Sequence, residues 1–311
     1  MIGRLAIVGL GLIGSSIARG ARTFGLAREI HALDRDPAVL DRVRALGLAD
    51  LATADPAEAA AGADLVILCV PVGAIGGVAA EIAGHLRPGA VLSDVGSVKG
   101  AVVAEVAPRL PPGIVFVPAH PVAGTEYSGP DAGFATLFAN RWCILTPPGD
   151  ADAAAVERVR GLWEGLGAIV ETMTPEHHDL VLAITSHVPH LIAYNIVGTA
   201  ADLEAVTQSE VIKFSAGGFR DFTRIAASDP TMWRDIFLTN REAVLEMLGR
   251  FNEDLSALAR AIRWGDGDAL HDLFTRTRAI RRGIVAMGQE TAEPDFGRGR
   301  PGSPEAAGPP Q

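Results

Sequence analysis

Val8-Gly-Leu-Gly-Leu-Ile-Gly14 is the stretch that decides the fold. Gly9, Gly11 and Gly14 stand at G-x-G-x-x-G spacing directly after a short apolar run, Arg4-Leu-Ala-Ile-Val8. An unbroken apolar run of this kind suits a parallel strand buried on both faces. Ser15 to Ala21 then reads as a helix, and a second apolar strand, Glu29 to Leu33, ends in Asp34, 20 residues after Gly14. In that setting Gly9 permits the tight turn, Gly11 lets the backbone approach a pyrophosphate, and Gly14 lets helix and strand pack closely. Leu12 and Ile13, within the turn, are expected among the cofactor contacts, and the helix N-terminus that follows faces the phosphate charge. Glycine turns are common in purely structural roles. Here the strand, the helix, the second strand and the terminal acid together point to a dinucleotide site. Asp34 would accept hydrogen bonds from the adenosine ribose and repel a 2′-phosphate, which favours NAD over NADP; Arg35 beside it could soften that repulsion.

The alternation continues outward from this turn. Ala63 to Val70 reads as a strand closed by Pro71, Ala74 to His85 as a helix, and Ala90 to Asp94 as the next strand. Gly96-Ser97 opens a helix over Val98–Val106, Ile114 to Val117 is another strand, and Arg141–Thr146 and Ala168–Thr172 flank a helix over Ala151–Leu166. Strands and helices joined by short loops predict an α/β fold with a doubly wound parallel sheet of the Rossmann type. Ligands of such sheets sit beyond the carboxyl ends of the strands, which singles out Val70, Pro71 and Asp94-Val-Gly-Ser-Val-Lys99. Ile114–Val117 delivers His120 to the same edge. A residue before proline is pushed extended, so His120-Pro121 is expected in a loop beside the cofactor crevice. His120 is then either a histidine bonded within a turn or a general base titrating near working pH. Ser97 and Glu126 are candidates to orient it, and Lys99 reads as a surface cation at a helix start.

The chain has 311 residues, enough for two domains, with 48% hydrophobic and 21% charged residues. Its formal charge of -10 argues against nucleic acid or an anionic membrane surface as partner. No uninterrupted apolar run approaches the roughly 18 residues of a membrane span, and the N-terminus offers no secretory pattern. Cys69 and Cys143, in apolar strand-like runs, are expected to be buried free thiols in a reducing cytoplasm. Beyond Thr174-Pro175 the period changes from two to 3.6. The boundaries expected are a nucleotide-binding domain over 1–172, an all-helical domain over 173–290 and a disordered tail over 291–311. The helices are placed at Pro175–Thr199 with a kink at Pro189, then Leu203–Phe214, Pro230–Leu248, Glu253–Gly265 and Ala269–Met287. Large apolar faces on such a domain predict a homodimer.

Two stretches of the helical half stand out. Ser186-His187-Val-Pro-His190 places two histidines near one helix face, suited to substrate contact or to core and capping roles. A metal would need further ligands at fitting distance, and His177 and His178 read as surface residues at the helix start. Ala216-Gly-Gly-Phe-Arg220-Asp-Phe-Thr-Arg224 combines glycines with two arginines, which suits bidentate capture of carboxylates or ordinary surface pairing. Trp233 reads as core.

Taken together, Gly9–Gly14, Asp94–Lys99, His120-Pro-Val-Ala-Gly-Thr125-Glu126, Ser186–His190 and Gly217–Ala226 resemble the prephenate/arogenate dehydrogenases of tyrosine biosynthesis, in order and over roughly residues 2 to 285. The resemblance implies NAD-dependent oxidative decarboxylation of a cyclohexadienyl ring. It implies His120 as base toward the ring 4-hydroxyl, with Ser97 bonded to the same hydroxyl. Arg224 would bind substrate carboxylate, with Arg220 the weaker candidate. His190, then His187 and Ser186, would line the pocket, and Thr125 and Glu126 would shape it near the side chain. A fused mutase or a regulatory domain is not expected in so compact a chain. A β-hydroxyacid dehydrogenase would rely on a lysine in the helical half, and Lys213 lacks such a setting; a silent NAD-binding protein would need no base.

Overall fold

This computed structural model describes residues 1–125, 127–207 and 216–286. Glu126, Lys213, the later part of the helix expected over Leu203–Phe214 and the expected tail lie outside the described residues.

The central strand, β1 (Ile2–Val8), explains its own sequence. Leu5 and Ile7 pack on one face with Ile17, Ile30 and Trp163, while Ala6 and Val8 pack on the other with Val66, Ile75 and Val102. With both faces covered there is no polar alternation to see. β1 pairs in parallel with β2 (Ala27–Leu33) and β4 (Leu65–Leu68). With β3 (Leu51–Thr53), β5 (Val91–Asp94) and β6 (Val115–Phe116) they form a six-stranded parallel sheet in the order β3-β2-β1-β4-β5-β6. The order reverses between β1 and β4, so the crevice opens beyond Val8 and Leu68. The crossover helices are α1 (Leu12–Thr23), α2 (Pro37–Ala45), α3 (Pro56–Ala60), α4 (Val72–Ala83) and α5 (Gly100–Val106). α2, β3 and α3 were not anticipated. Their signal lies in two Asp-Pro pairs: Asp36 and Asp55 cap helices whose first residue is proline, accepting from Ala38 N at 2.9 Å and Ala57 N at 2.8 Å.

The strands expected at Arg141–Thr146 and Ala168–Thr172 do form, as β8 (Trp142–Leu145) and β9 (Ile169–Thr172), on either side of α6 (Ala153–Gly165). They belong to a separate three-stranded sheet, β7-β8-β9, whose edge strand β7 (Ala119–Pro121) runs antiparallel to β8. The loop expected around His120 is therefore corrected to a strand. The extended backbone imposed by Pro121 is common to both, and three residues are too few to display a period.

The helical half consists of α7 (Pro175–Leu182), a π turn at Ala183–His187, α8 (Val188–Thr207), α9 (Gly217–Thr223), α10 (Pro230–Thr239), α11 (Arg241–Trp264) and α12 (Gly267–Ala286). The irregularity expected at Pro189 is the π turn just before it; α7, the π turn and α8 run on as one helix, so Pro189 lies inside it, and the widened turn is where such a helix absorbs a residue with no N–H to donate. The break expected after Leu248 comes instead at Asn240, and α11 runs on to Gly265, whose φ of +67° ends it. Trp233 and Ile236 of α10 share a buried cluster with Ile75, Ala79 and Leu92, so this half is docked on one face of the large sheet. Pro175–Leu203 is long and apolar enough, by length and composition, to cross a membrane. Its polar side chains, however, bond to α5 and to Asn240.

Candidate active site

The glycine turn has the geometry a pyrophosphate requires. A Cβ on Gly9, whose φ is +92°, would lie 2.6 Å from the Cys69 carbonyl oxygen, and one on Gly14 would lie 2.0 Å from the Gly9 carbonyl oxygen. A Cβ on Gly11 would meet nothing within 4 Å. Two glycines are thus required by the protein's own packing, and the third borders open space. Gly11 caps α1 without a side-chain bond, leaving the first N–H groups of Leu12, Ile13 and Gly14 directed at that space. Asp34 is held at the end of β2, one carboxylate oxygen accepting from Leu10 N at 2.9 Å and the other from Asp36 N at 3.0 Å. Arg35 is exposed, and Val70 and Pro71 lie between β4 and α4 on the same rim. These residues fit a dinucleotide.

At the end of β5 a buried ion pair sets the next layer. Lys99 is wholly buried and its Nζ bonds Asp94 Oδ2, which corrects the reading of a surface cation. Position in sequence gave no sign that β7 closes over it. Burial pulls the ammonium pKa down, against the upward pull of Asp94. The pair grips one residue from both ends: Lys99 Nζ donates to the Ala119 carbonyl at 2.8 Å, and Asp94 Oδ1 accepts from Ala119 N at 3.3 Å. Ala119 precedes His120, so the pair fixes the strand that carries the histidine.

His120 is buried, and its Nδ1 lies 2.8 Å from Nε2 of His178. Nδ1 of His178 lies 2.8 Å from Asp179 Oδ1. The carboxylate of Asp179 in turn accepts from Lys99 N and Gly100 N, each at 2.8 Å, at the start of α5. Sequence reasoning missed both residues: His177 is exposed as expected, but His178 is wholly buried. The signal was there, since His178 shares a helix face with the buried Leu182 four residues on. Burial, then His178, Lys99 and His187, hold the His120 pKa well below the ordinary histidine value. Burial lowers that of His178 as well, against its bond to Asp179. Both rings are therefore neutral near pH 7. Ser97 lies half-buried between Asp94 and Lys99, and Thr125 accepts from Tyr127 N at 3.3 Å.

The helical half supplies the opposite wall. Nδ2 of Asn240 donates to His187 Nδ1 at 3.1 Å and to the Asp179 main-chain oxygen at 2.9 Å, tying the π turn to α7. Burial pushes the His187 pKa down to about 4. His190 donates from Nδ1 to the Ser186 carbonyl at 2.9 Å and stacks on Trp233, with ring centroids 3.6 Å apart. Burial lowers its pKa, and Arg224, in the turn after α9, adds to the effect by its charge. Arg224 is half-buried, whereas Arg220 is exposed. Cys143 is buried and Cys69 partly so, both free thiols, and burial pushes both thiol pKa values up.

Two adjoining family descriptions cover this layout: "Prephenate dehydrogenase, nucleotide-binding domain" matches residues 17–172 and "Prephenate dehydrogenase, dimerization domain" residues 174–276. The chain is 45% identical over 277 residues to a cyclohexadienyl dehydrogenase of Zymomonas mobilis, covering 89% of this chain and 94% of that one. The chain belongs to the prephenate dehydrogenase family. Among solved members, the prephenate dehydrogenase of Aquifex aeolicus in complex with hydroxyphenyl propionate and NAD+ is 34% identical with a TM-score of 0.85, over 91% of this chain and 99% of that one. The arogenate dehydrogenase of Synechocystis is 27% identical with a TM-score of 0.77, over 90% and 99%. The whole two-part arrangement, and not the glycine turn alone, is what this family shares with the chain.

Proposed function

We propose that this family member oxidatively decarboxylates prephenate, arogenate or both, with NAD as oxidant, giving 4-hydroxyphenylpyruvate or tyrosine. The observation that carries the reading is a neutral, buried His120 beside a dinucleotide crevice, bonded to His178 of the helical half, with Arg224 of the same half close enough to His190 to act on it by charge. Bound NAD supplies the hydride acceptor, and Asp34 favours it over a 2′-phosphorylated cofactor. His120 removes the proton from the ring 4-hydroxyl as that carbon gives up hydride, and Ser97 bonds the same oxygen. The bond to the ring carboxylate then breaks, CO2 leaves, the electron pair of that bond completes the aromatic ring as a phenolate, and His120 returns its proton to the ring oxygen. Arg224 holds substrate carboxylate by bidentate bonds, in a chain whose formal charge is -10 overall. His190, fixed by Trp233 and Ser186, lines the pocket with His187; Thr125 shapes it near the substrate side chain, and Arg220 is the weaker candidate for the carboxylate.

The protein works as a cytoplasmic homodimer through its helical half, a reading supported by the matched dimerization description and by exposed apolar side chains on α11 and α12 such as Ile262 and Phe274. The test is NADH formation from prephenate and from arogenate, with NADP alongside. Turnover of at least one substrate with NAD is expected, and turnover of neither refutes the reading.

A further inference from the structure

We infer that His178, backed by Asp179, is a positioning residue that fixes the proton of His120 on Nδ1 and so leaves the lone pair on Nε2. This goes beyond the base role proposed for His120, and its catalytic consequence rests on that role.

A neutral imidazole has one N–H and one lone pair. Across the 2.8 Å gap between His120 Nδ1 and His178 Nε2 one nitrogen must therefore donate and the other accept. The contact itself does not say which. The far side of His178 does. Its Nδ1 lies 2.8 Å from a carboxylate oxygen of Asp179, which can only accept. That carboxylate is occupied on both oxygens by the Lys99 and Gly100 amides, at the positive end of α5. His178 therefore carries its hydrogen on Nδ1. Being neutral, it presents a bare Nε2, which accepts from His120 Nδ1–H. His120, neutral too, is left with its lone pair on Nε2. A free histidine side chain favours the opposite tautomer, with the proton on Nε2, so the relay selects the form that can take a proton there.

The arrangement has the logic of a base oriented by a third group. The charged and titratable groups facing the two rings are Asp94 and Lys99 from the end of β5, His187 from the π turn and Asp179 from α7 itself. The relay also spans the two halves of the chain, since His120 stands on β7 and His178 and Asp179 on α7. Seating α7 on α5 is what puts the proton on the correct nitrogen.

The test is nuclear magnetic resonance of the full-length protein labelled with 15N-histidine. Long-range proton–nitrogen correlations report which ring nitrogen is protonated, and the His120 signals are assigned by their loss in His120→Asn. His120 is expected as the Nδ1–H tautomer in the intact protein, shifting toward Nε2–H in His178→Leu. In His178→Gln the amide spans the same two positions, oxygen toward His120 and nitrogen toward Asp179, so Nδ1–H is expected to persist. Kinetically, His178→Leu should lower kcat by about 100-fold with the KM for NAD changed less than about twofold, and His178→Gln should recover at least about tenfold of the loss. An Nε2–H tautomer of His120 in the intact protein, or an unchanged Nδ1–H in His178→Leu, overturns the inference. The measurement needs no turnover, so it separates the two readings. Full activity in His120→Asn would remove the base and leave the relay; a wrong tautomer would remove the relay and leave the base.

Discussion

Lys99→Met is the substitution whose cost follows most directly from the structure. Lys99 and Asp94 are both wholly buried and pair with each other, and the lysine also donates to the Ala119 carbonyl at 2.8 Å. Methionine fills nearly the same volume, so no cavity confuses the result. What remains is a buried carboxylate with two main-chain donors, Gly96 N at 2.8 Å and Ala119 N at 3.3 Å, and no counter-charge. Leaving one member of such a pair unpartnered costs about 3–5 kcal/mol. For a cooperative unit of about 150–250 residues, each kcal/mol lowers Tm by about 2–4 °C, so a fall of about 6–20 °C is expected. Guanidinium unfolding followed by tryptophan fluorescence reads it, because Trp163 and Trp233 are both buried. The decisive arm is Lys99→Met with Asp94→Asn. Asparagine still accepts from the main chain but carries no charge, so the double variant should return to within about 2 kcal/mol of the parent. A loss below about 1 kcal/mol in the single variant, or a double variant no more stable than it, would refute the reasoning.

Four further outcomes follow from the site. Gly11→Ala should leave Tm within about 2 °C of the parent yet weaken NAD binding by about tenfold or more, while Gly14→Ala, whose Cβ would lie 2.0 Å from the Gly9 carbonyl, should lower both; thermal melts with and without NAD separate them. His120→Asn should reduce kcat by about 100-fold or more with little change in NAD affinity, whereas Arg224→Ala should chiefly raise the KM for the carboxylate substrate, as steady-state kinetics would show. The folded pKa of His187, about 4, lies below the ordinary histidine value, so the unfolded chain binds the extra proton between these limits. Stability should fall as pH drops from about 6.5 toward 4, by about 3 kcal/mol from this residue, and His187→Gln should flatten that loss in denaturant titrations at pH 7 and 4.5. Ile262→Asp, at a side chain 67% exposed on α11, should convert a sedimenting dimer to monomer; a parent that already sediments as monomer refutes the dimer.

The glycine turn was legible because its demands are local. Steric needs at Gly9 and Gly14, and the spacing to Asp34, are set within one β-α-β unit. The helical character of the second half was equally plain from its period. What sequence could not show are relations between distant segments. Lys99 looked like a surface cation because nothing nearby reveals that Asp94 and Ala119 enclose it. His178 looked like part of a polar helix start, although His177 and His178 are adjacent and only one can face outward. The second sheet was hidden for another reason: β7 has three residues, and its partner β8 follows more than twenty residues later. His120 itself was found from its proline neighbour and its place after a strand, yet its hydrogen-bond partner comes from the other half of the chain.

The π turn at Ala183–His187 has a consequence for how the helical half can vary. On an unbroken α-helix each residue turns about 100°, so His178 and His187, nine positions apart, would point in opposite directions. One extra residue in a turn withdraws about 100° of that rotation, leaving about 80° between them, and both rings can then be buried toward the same domain. The turn is thus a phase shift written into the chain. Deleting a single residue between Ala183 and Ser186 would leave the two histidines eight positions apart on a regular helix, again about 80° apart, so His187 and His190 would keep their register with His178; drawing the turn into regular helix with all its residues retained is what would rotate them by about 100°. The turn therefore stores one residue of length without disturbing what lies on either side, so this helix can lose that residue and keep its histidines together, but cannot straighten around it.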